Sequence, residues 1–69
     1  MSNFNLNTNT DTYLITFQAP SGGEQLICTT NNIMLAEALA NTPDCSPGTY
    51  RVRHNSASQE VLREYTKSN

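Results

Sequence analysis

Hydrophobic and polar residues alternate one by one near the start of the chain. This period of two predicts a β-strand over residues 12–18, because successive side chains of a strand point to opposite faces. The aromatic and β-branched residues that share one face are Tyr13, Ile15 and Phe17. The Pro-Ser-Gly-Gly sequence at residues 20–23 predicts a turn, and the apolar run after it predicts a return strand over residues 24–29.

The hydrophobic period lengthens after residue 32. Leu35, Ala38 and Leu39 are spaced i, i+3 and i+4, which predicts a short amphipathic helix over residues 33–41 that packs on the hairpin. Polar residues before it can cap its first turn, and Pro43 ends it because the residue before a proline avoids helical geometry.

Two further elements are predicted in the C-terminal third. Residues 50–54 alternate again, with Tyr50 and Val52 facing inward and Arg51 and Arg53 facing outward on a third, edge-like strand. Farther on, Ser56-Ala-Ser-Gln has the form of a helix capping box, and the apolar residues Ala57, Val61 and Tyr65 are spaced four apart. This spacing predicts a short C-terminal helix that ends near residue 66, and the element order β-β-α-β-α predicts an α+β fold.

Length and composition limit the domain organisation. The chain has 69 residues, of which 36% are hydrophobic and none is Trp, so we expect one small domain with a thin core. Residues 1–11 are rich in Asn and carry only Phe4 and Leu6 as apolar anchors, which predicts a flexible arm. The domain is expected to cover residues 12–66, followed by a tail at residues 67–69, and association with a partner or with a second copy would complete its core.

Charge and hydropathy exclude several function classes. The net charge is −2, and the four Lys and Arg residues do not form a basic stripe, so nucleic-acid binding is not expected. The chain has no apolar run near ~20 residues and no basic-then-apolar leader, so we expect neither membrane insertion nor secretion. The expected compartment is the cytoplasm, where the two cysteines would be free thiols.

Residues 12–52 resemble the first half of a plant-type [2Fe–2S] ferredoxin from which the cluster-binding loop has been removed. The positions that carry the resemblance are Tyr13, Pro20-Ser21-Gly22, Leu26-Ile27-Cys28, Met34-Leu35 and Cys45-Ser46-Pro47-Gly48. The resemblance implies a small β-grasp-like (ferredoxin- or ubiquitin-like) sheet with one packed helix. Past Val52 it thins, and after Asn41 the chain is about nine residues shorter than the family pattern.

The resemblance does not extend to the iron–sulfur chemistry of the family. A cluster of this type is held by four thiolates with the spacing C-x₄-C-x₂-C and a distant fourth, and only Cys45 stands at such a position. Cys28 corresponds to a non-ligand position and is expected to pack as a small hydrophobe. We therefore expect no cofactor and no metal site, because Cys28, Cys45 and His54 are too few and too widely spaced for zinc.

The sequence as a whole favours a non-catalytic protein-interaction module, a cluster-less ferredoxin-like domain that acts as a regulator or small subunit. Its expected partner is another protein or a second copy of the chain. The candidate contacts are Phe4, Leu6, Arg51 and Arg53, which would act at an exposed sheet edge. The chain is not expected to be an enzyme.

The sequence leaves two alternatives open. One is a redox or iron–sulfur role, in which Cys45 is a reactive thiol or a ligand shared between chains, although Asp44 beside it disfavours the thiolate. The other is a precursor peptide that a partner enzyme modifies in residues 45–69.

Overall fold

The computed structural model describes residues 11–68, which form one helix and four strands. In chain order they are β1 (Tyr13–Gln18), β2 (Glu24–Thr30), α1 (Leu35–Ala40), β3 (Gly48–His54) and β4 (Val61–Lys67). The fold class is α+β, as predicted. The first three strands and the helix lie where the hydrophobic pattern placed them, with ends that differ by a few residues.

The four strands form one sheet in the order β2-β1-β3-β4, and all three neighbouring pairs are antiparallel. Within residues 11–68, β1 and β3 are therefore interior strands and β2 and β4 are the edges. The β1–β3 register places Ile15 opposite Val52 and Phe17 opposite Tyr50, so the inward-facing residues of the two predicted strands share one face.

The core lies between this face and α1. Ile15, Ala36, Tyr50 and Val52 are buried there, and the rings of Phe17 and Tyr50 pack with centroids 4.9 Å apart. The helix packs over β3, β4 and β1. Because α1 is displaced toward the β4 side, the β2 end of the same face is left more open.

The helix is shorter than predicted, and one residue that was predicted to face the sheet is exposed. It begins after an Asn32 side chain that accepts a hydrogen bond from the backbone N–H of Met34 at 3.0 Å. Ala36 is fully buried, whereas Ala38, which was predicted to face inward, is exposed. The face of α1 that packs on the sheet contains Ala36, which is buried together with Tyr50 and Val52.

The predicted C-terminal helix is wrong: the segment is the strand β4, which pairs with β3. A spacing of four residues is common to one turn of a helix and two repeats of a strand, so Val61 and Tyr65 fit both patterns. The Val, Tyr and Thr content of β4 favours a strand, and Tyr65 lies opposite Tyr50 across the pair. β4 also extends to Lys67, one residue into the segment that was predicted to be a tail.

Two tight connections fix the ends of the strands. The backbone N–H of Gly22 donates to the carbonyl of Ala19 at 3.1 Å, which closes the predicted turn with Pro20 at its second position. Gly48 begins β3 with a φ of +150°, and a Cβ added there would lie 2.5 Å from both the Gln18 carbonyl oxygen and the Phe17 ring. Only glycine therefore allows β3 to start this close to the end of β1.

Candidate functional site

The face of the sheet opposite α1 carries a network of ion pairs that crosses the strands. Arg53 of β3 reaches over β1 and binds Glu24 of β2 with two hydrogen bonds, Nε–Oε2 at 2.7 Å and Nη2–Oε1 at 2.9 Å. The hydroxyl of Thr16, on the strand between them, donates to the same carboxylate at 2.5 Å. A guanidinium and a carboxylate in this two-bonded geometry form one of the stronger polar contacts in proteins.

Arg51 extends the network toward β4. Its Nε lies 2.6 Å from Glu64 Oε2, its Nη1 donates to Gln18 at 2.9 Å, and the same nitrogen lies 3.5 Å from Glu24. The partners on β3 and β4 are directly opposite each other in the register, so the sheet itself brings Arg51 and Glu64 together. The network therefore joins all four strands.

This network changes the interpretation of the two arginines. Arg51 and Arg53 were predicted to be exposed on an edge strand, but β3 is an interior strand of residues 11–68, and their side chains are only 18% and 21% exposed. The hydrogen bonds with Arg53 hold the pKa of Glu24 below its ordinary value, and Glu24 in turn raises the pKa of Arg53. Both arginines are thus engaged within the domain, where they cover the fully buried Thr16.

A cleft of about 330 Å³ opens on the other face, between the β2 edge and the loop after α1. Its floor contains the paired rings of Phe17 and Tyr50. One wall is formed by β2 and the other by α1 and the loop at residues 44–46. The residues of the walls are Gln25, Leu26, Ile27, Leu39, Asp44, Cys45 and Ser46.

The loop that forms one wall is held in place by hydrogen bonds at both ends. The hydroxyl of Thr42 donates to the Ala38 carbonyl at 2.7 Å, and the N–H of Cys45 donates to the Thr42 carbonyl at 3.1 Å. The ammonium group of Lys67, at the end of β4, donates to the carbonyls of Thr42 and Cys45, the latter at 2.7 Å. The last strand therefore fixes the position of Cys45.

Cys45 and Tyr50 are neighbours inside the cleft. The Tyr50 hydroxyl donates to the Ser46 carbonyl at 2.6 Å. Burial, and after it the neighbouring Cys45, raise the pKa of Tyr50. Cys45 is half-buried and is not part of a disulfide. Cys28 is also half-buried and packs against the core, and burial and the charge of Asp11 raise the pKa of its thiol.

Two large apolar residues of the β2 wall are exposed, but the register places the Leu26 side chain on the face of Thr16 and Glu24, away from the cleft floor. Leu26 is 37% and Ile27 is 47% exposed, on a strand that forms a sheet edge of residues 11–68. A β-bulge at Ile27 interrupts the pairing with β1, because Ile15 pairs with Cys28 whereas Thr16 pairs with Leu26. Strict alternation would place Leu26 and Cys28 on one face, whereas the bulge places Cys28 on the face of Ile15 and Leu26 on the face of Thr16.

The remaining predicted site residues lie apart from the cleft. Phe4 and Leu6 lie outside the described residues. His54 is exposed at the end of β3, and no group of three or more His, Cys, Asp or Glu side chains within residues 11–68 is placed to hold a metal ion. Among the same residues the one helix, with six residues, falls far short of the length and apolarity needed to cross a bilayer.

Comparison of the chain with protein-family models, with curated proteins and with solved structures gives no match. The ferredoxin resemblance of residues 12–52 therefore stays a prediction.

Proposed function

We propose that the protein is a non-catalytic interaction module, a regulator or small subunit that binds another protein through the β2 side of its sheet. The observation that carries this proposal is the combination of an edge strand, two exposed apolar residues and an adjoining cleft. Leu26 and Ile27 are exposed, lie on the edge strand and border the cleft, and the Leu26 side chain points to the other face of the sheet. An exposed strand edge beside an apolar pocket is the arrangement by which an extended segment of a partner adds to a sheet.

The polar face gives less support to partner binding. The guanidinium groups of Arg51 and Arg53 already bind Glu64 and Glu24, so a partner would have to break hydrogen bonds within the domain to reach them. The proposed contact surface is therefore β2 and not these two arginines. Phe4 and Leu6 remain candidate contacts on sequence grounds alone.

We propose that this module is a cluster-less, β-grasp-like domain. The order β-β-α-β up to His54 and the position of the helix on one face of the sheet support a β-grasp-like domain, whereas the antiparallel β1–β3 pair counts against it. Two cysteines outside disulfides suit a reducing compartment, and we propose the cytoplasm.

The test is a native mass measurement on the protein purified from its own host, with two matched variants. Ile27→Gln places a polar group on the β2 side, and Val61→Gln makes the same kind of change at a residue of similar exposure on β4. We expect a complex of constant composition with the original protein and with Val61→Gln, and its loss with Ile27→Gln. A single-chain mass for the original protein, or equal loss in both variants, would overturn the proposal.

A further inference from the structure

We infer that β2 is a releasable strand, which detaches from the sheet as a unit while β1, β3, β4 and α1 stay folded. Release would make β1 the new edge of the sheet, because β1 pairs with β2 on one side and with β3 on the other. The backbone N–H and C=O groups of β1 that now bind β2 would then be open to pairing with another strand. Release of β2 is independent of the proposed binding function.

The two edge strands differ in what covers them. Within residues 11–68, neither β2 nor β4 contains a buried residue, and each is paired across one irregular position. Edge position and pairing therefore do not distinguish them. The helix α1 does, because it packs over β4, β3 and β1 and its contact with β2 is at most slight.

Side chains reinforce this difference between the edges. Tyr65 of β4 packs against the core, and Lys67 at the end of β4 binds the Thr42 and Cys45 carbonyls of the loop after α1. On β2, Cys28 packs against the core, but the three consecutive residues 25–27 are exposed beside the open cleft. β4 is thus held to the helix and its loop, whereas β2 depends on its pairing with β1 and on contacts at its ends.

The contacts at the two ends of β2 are polar. At its start, Glu24 accepts two hydrogen bonds from Arg53 across β1. At its end, Thr29 and the following Asn31 donate to the Asp11 carboxylate at 3.0 and 3.3 Å. Water can replace such partners when the strand leaves, so these contacts oppose release less than burial under the helix would.

The chain around β2 is long enough for the strand to leave. β1 ends at Gln18, and the Asn32 side chain that caps α1 follows β2. An extended chain spans about 3.3 Å per residue, so residues 19–31 can bridge the length of the seven-residue strand almost twice over. Release therefore does not pull on β1 or on α1.

The part of the domain that remains meets the requirement for a stable sheet. It consists of three paired strands with a helix on one face, whereas two strands alone are only marginally stable. The released state is a minor one under native conditions, so unfolding in urea stays a single transition.

The experiment is hydrogen exchange of the full chain, followed by NMR under native conditions. The quantity compared is the protection of the slowest-exchanging amides in β2, β3 and β4. We expect protection in β2 to be at least about tenfold lower than in β4, and β3 and β4 to agree within about threefold. Because β4 is also an edge strand, it controls for edge position within the same molecule.

Ala36→Gly tests whether the helix stays folded when β2 leaves. The substitution removes a buried methyl group from α1 and weakens the helix, which should lower protection in β3 and β4 at least about fivefold. Protection in β2 should change by less than about twofold, since the released state keeps α1 and loses the same stabilisation as the native state.

Three results would overturn the inference. Equal protection of β2 and β4 in the original protein, which needs no variant, would show that the sheet opens as one unit. Lower protection in β4 than in β2 would show that α1 does not hold the β4 edge. An equal loss of protection in all three strands of Ala36→Gly would show that β2 leaves only when the helix unfolds.

Discussion

Replacing Glu24 with Gln should be among the most damaging changes on the polar face of the sheet. The Glu24 carboxylate accepts two hydrogen bonds from Arg53 and one from Thr16, and its side chain is 20% exposed. A glutamine keeps one acceptor oxygen but turns an NH₂ group toward the guanidinium. In the variant, the partly buried Arg53 guanidinium loses its anionic partner and faces another hydrogen-bond donor.

The magnitude follows from the geometry and the burial. A hydrogen bond to a charged group contributes about 1.5–3 kcal/mol, removing one partner of a fully buried pair costs about 3–5 kcal/mol, and an exposed pair is worth less than about 1 kcal/mol. Since Glu24 is mostly but not fully buried, we expect Glu24→Gln to lower the free energy of unfolding by about 2–3 kcal/mol. For a domain of this size that corresponds to a fall in Tm of roughly 10–20 °C.

The assay is urea unfolding followed by circular dichroism at neutral and acidic pH. The pKa of Glu24 lies below its ordinary value of 4.5, so the stabilisation is complete above that value and is lost as the pH falls through the lower, folded-state pKa. The difference in stability between the original protein and Glu24→Gln should therefore be large at pH 7 and should shrink in strong acid.

The control is Glu60→Gln, which removes the same charge from an exposed side chain. It should change the free energy of unfolding by less than about 0.5 kcal/mol. A double-mutant cycle with Arg53→Met should give a coupling energy of about 1.5–3 kcal/mol. If Glu24→Gln costs no more than Glu60→Gln, or if its cost is the same at every pH, the network does not stabilise the sheet as argued.

Three further changes test other parts of the structure. Gly48→Ala should lower the free energy of unfolding, measured in urea, by about 3 kcal/mol or more, because the new Cβ would lie 2.5 Å from the Gln18 carbonyl oxygen and from the Phe17 ring. The matched control is Gly23→Ala, since an added Cβ there would have no atom within 4 Å. Lys67→Met should speed alkylation of Cys45 by iodoacetamide at least about threefold, because it removes the ammonium group that holds the loop through the Thr42 and Cys45 carbonyls. The rate at Cys28 should not change. Cys28→Ala should cost about 1 kcal/mol and Cys45→Ala less, because Cys45 borders the open cleft. A greater cost for Cys45→Ala would contradict this account of the loop.

The sequence predicted the parts of the fold that depend on local pattern. The alternation around Ile15 and the alternation around Val52 each identify a strand and its inward face, and the two faces meet in the register of β1 and β3. The C-terminal segment could not be assigned in this way, because the spacing of Val61 and Tyr65 fits two periods. Its pairing with β3 is a tertiary contact that fixes the choice.

The candidate sites were harder to predict because they depend on contacts between distant residues. Arg53 looks exposed in the sequence, since nothing near it in the chain indicates that Glu24 lies beside it across β1. The β2 wall of the cleft contains a bulge at Ile27 that turns Leu26 and Cys28 to opposite faces, which a pattern of strict alternation cannot show. Leu39 was predicted to face inward, but its place at the cleft follows from where α1 sits on the sheet.

The strand order also determines how the domain unfolds. The order β2-β1-β3-β4 divides the sheet into two hairpins, β1–β2 and β3–β4, that meet along a single seam between β1 and β3. An isolated hairpin is only marginally stable in water, so neither half should persist without the other, and unfolding should be one cooperative transition. A chain cut in the loop between α1 and β3 should accordingly yield two unfolded fragments that recover the fold only when they are mixed, with the β1–β3 seam and the packing of α1 on β3 and β4 as their interface.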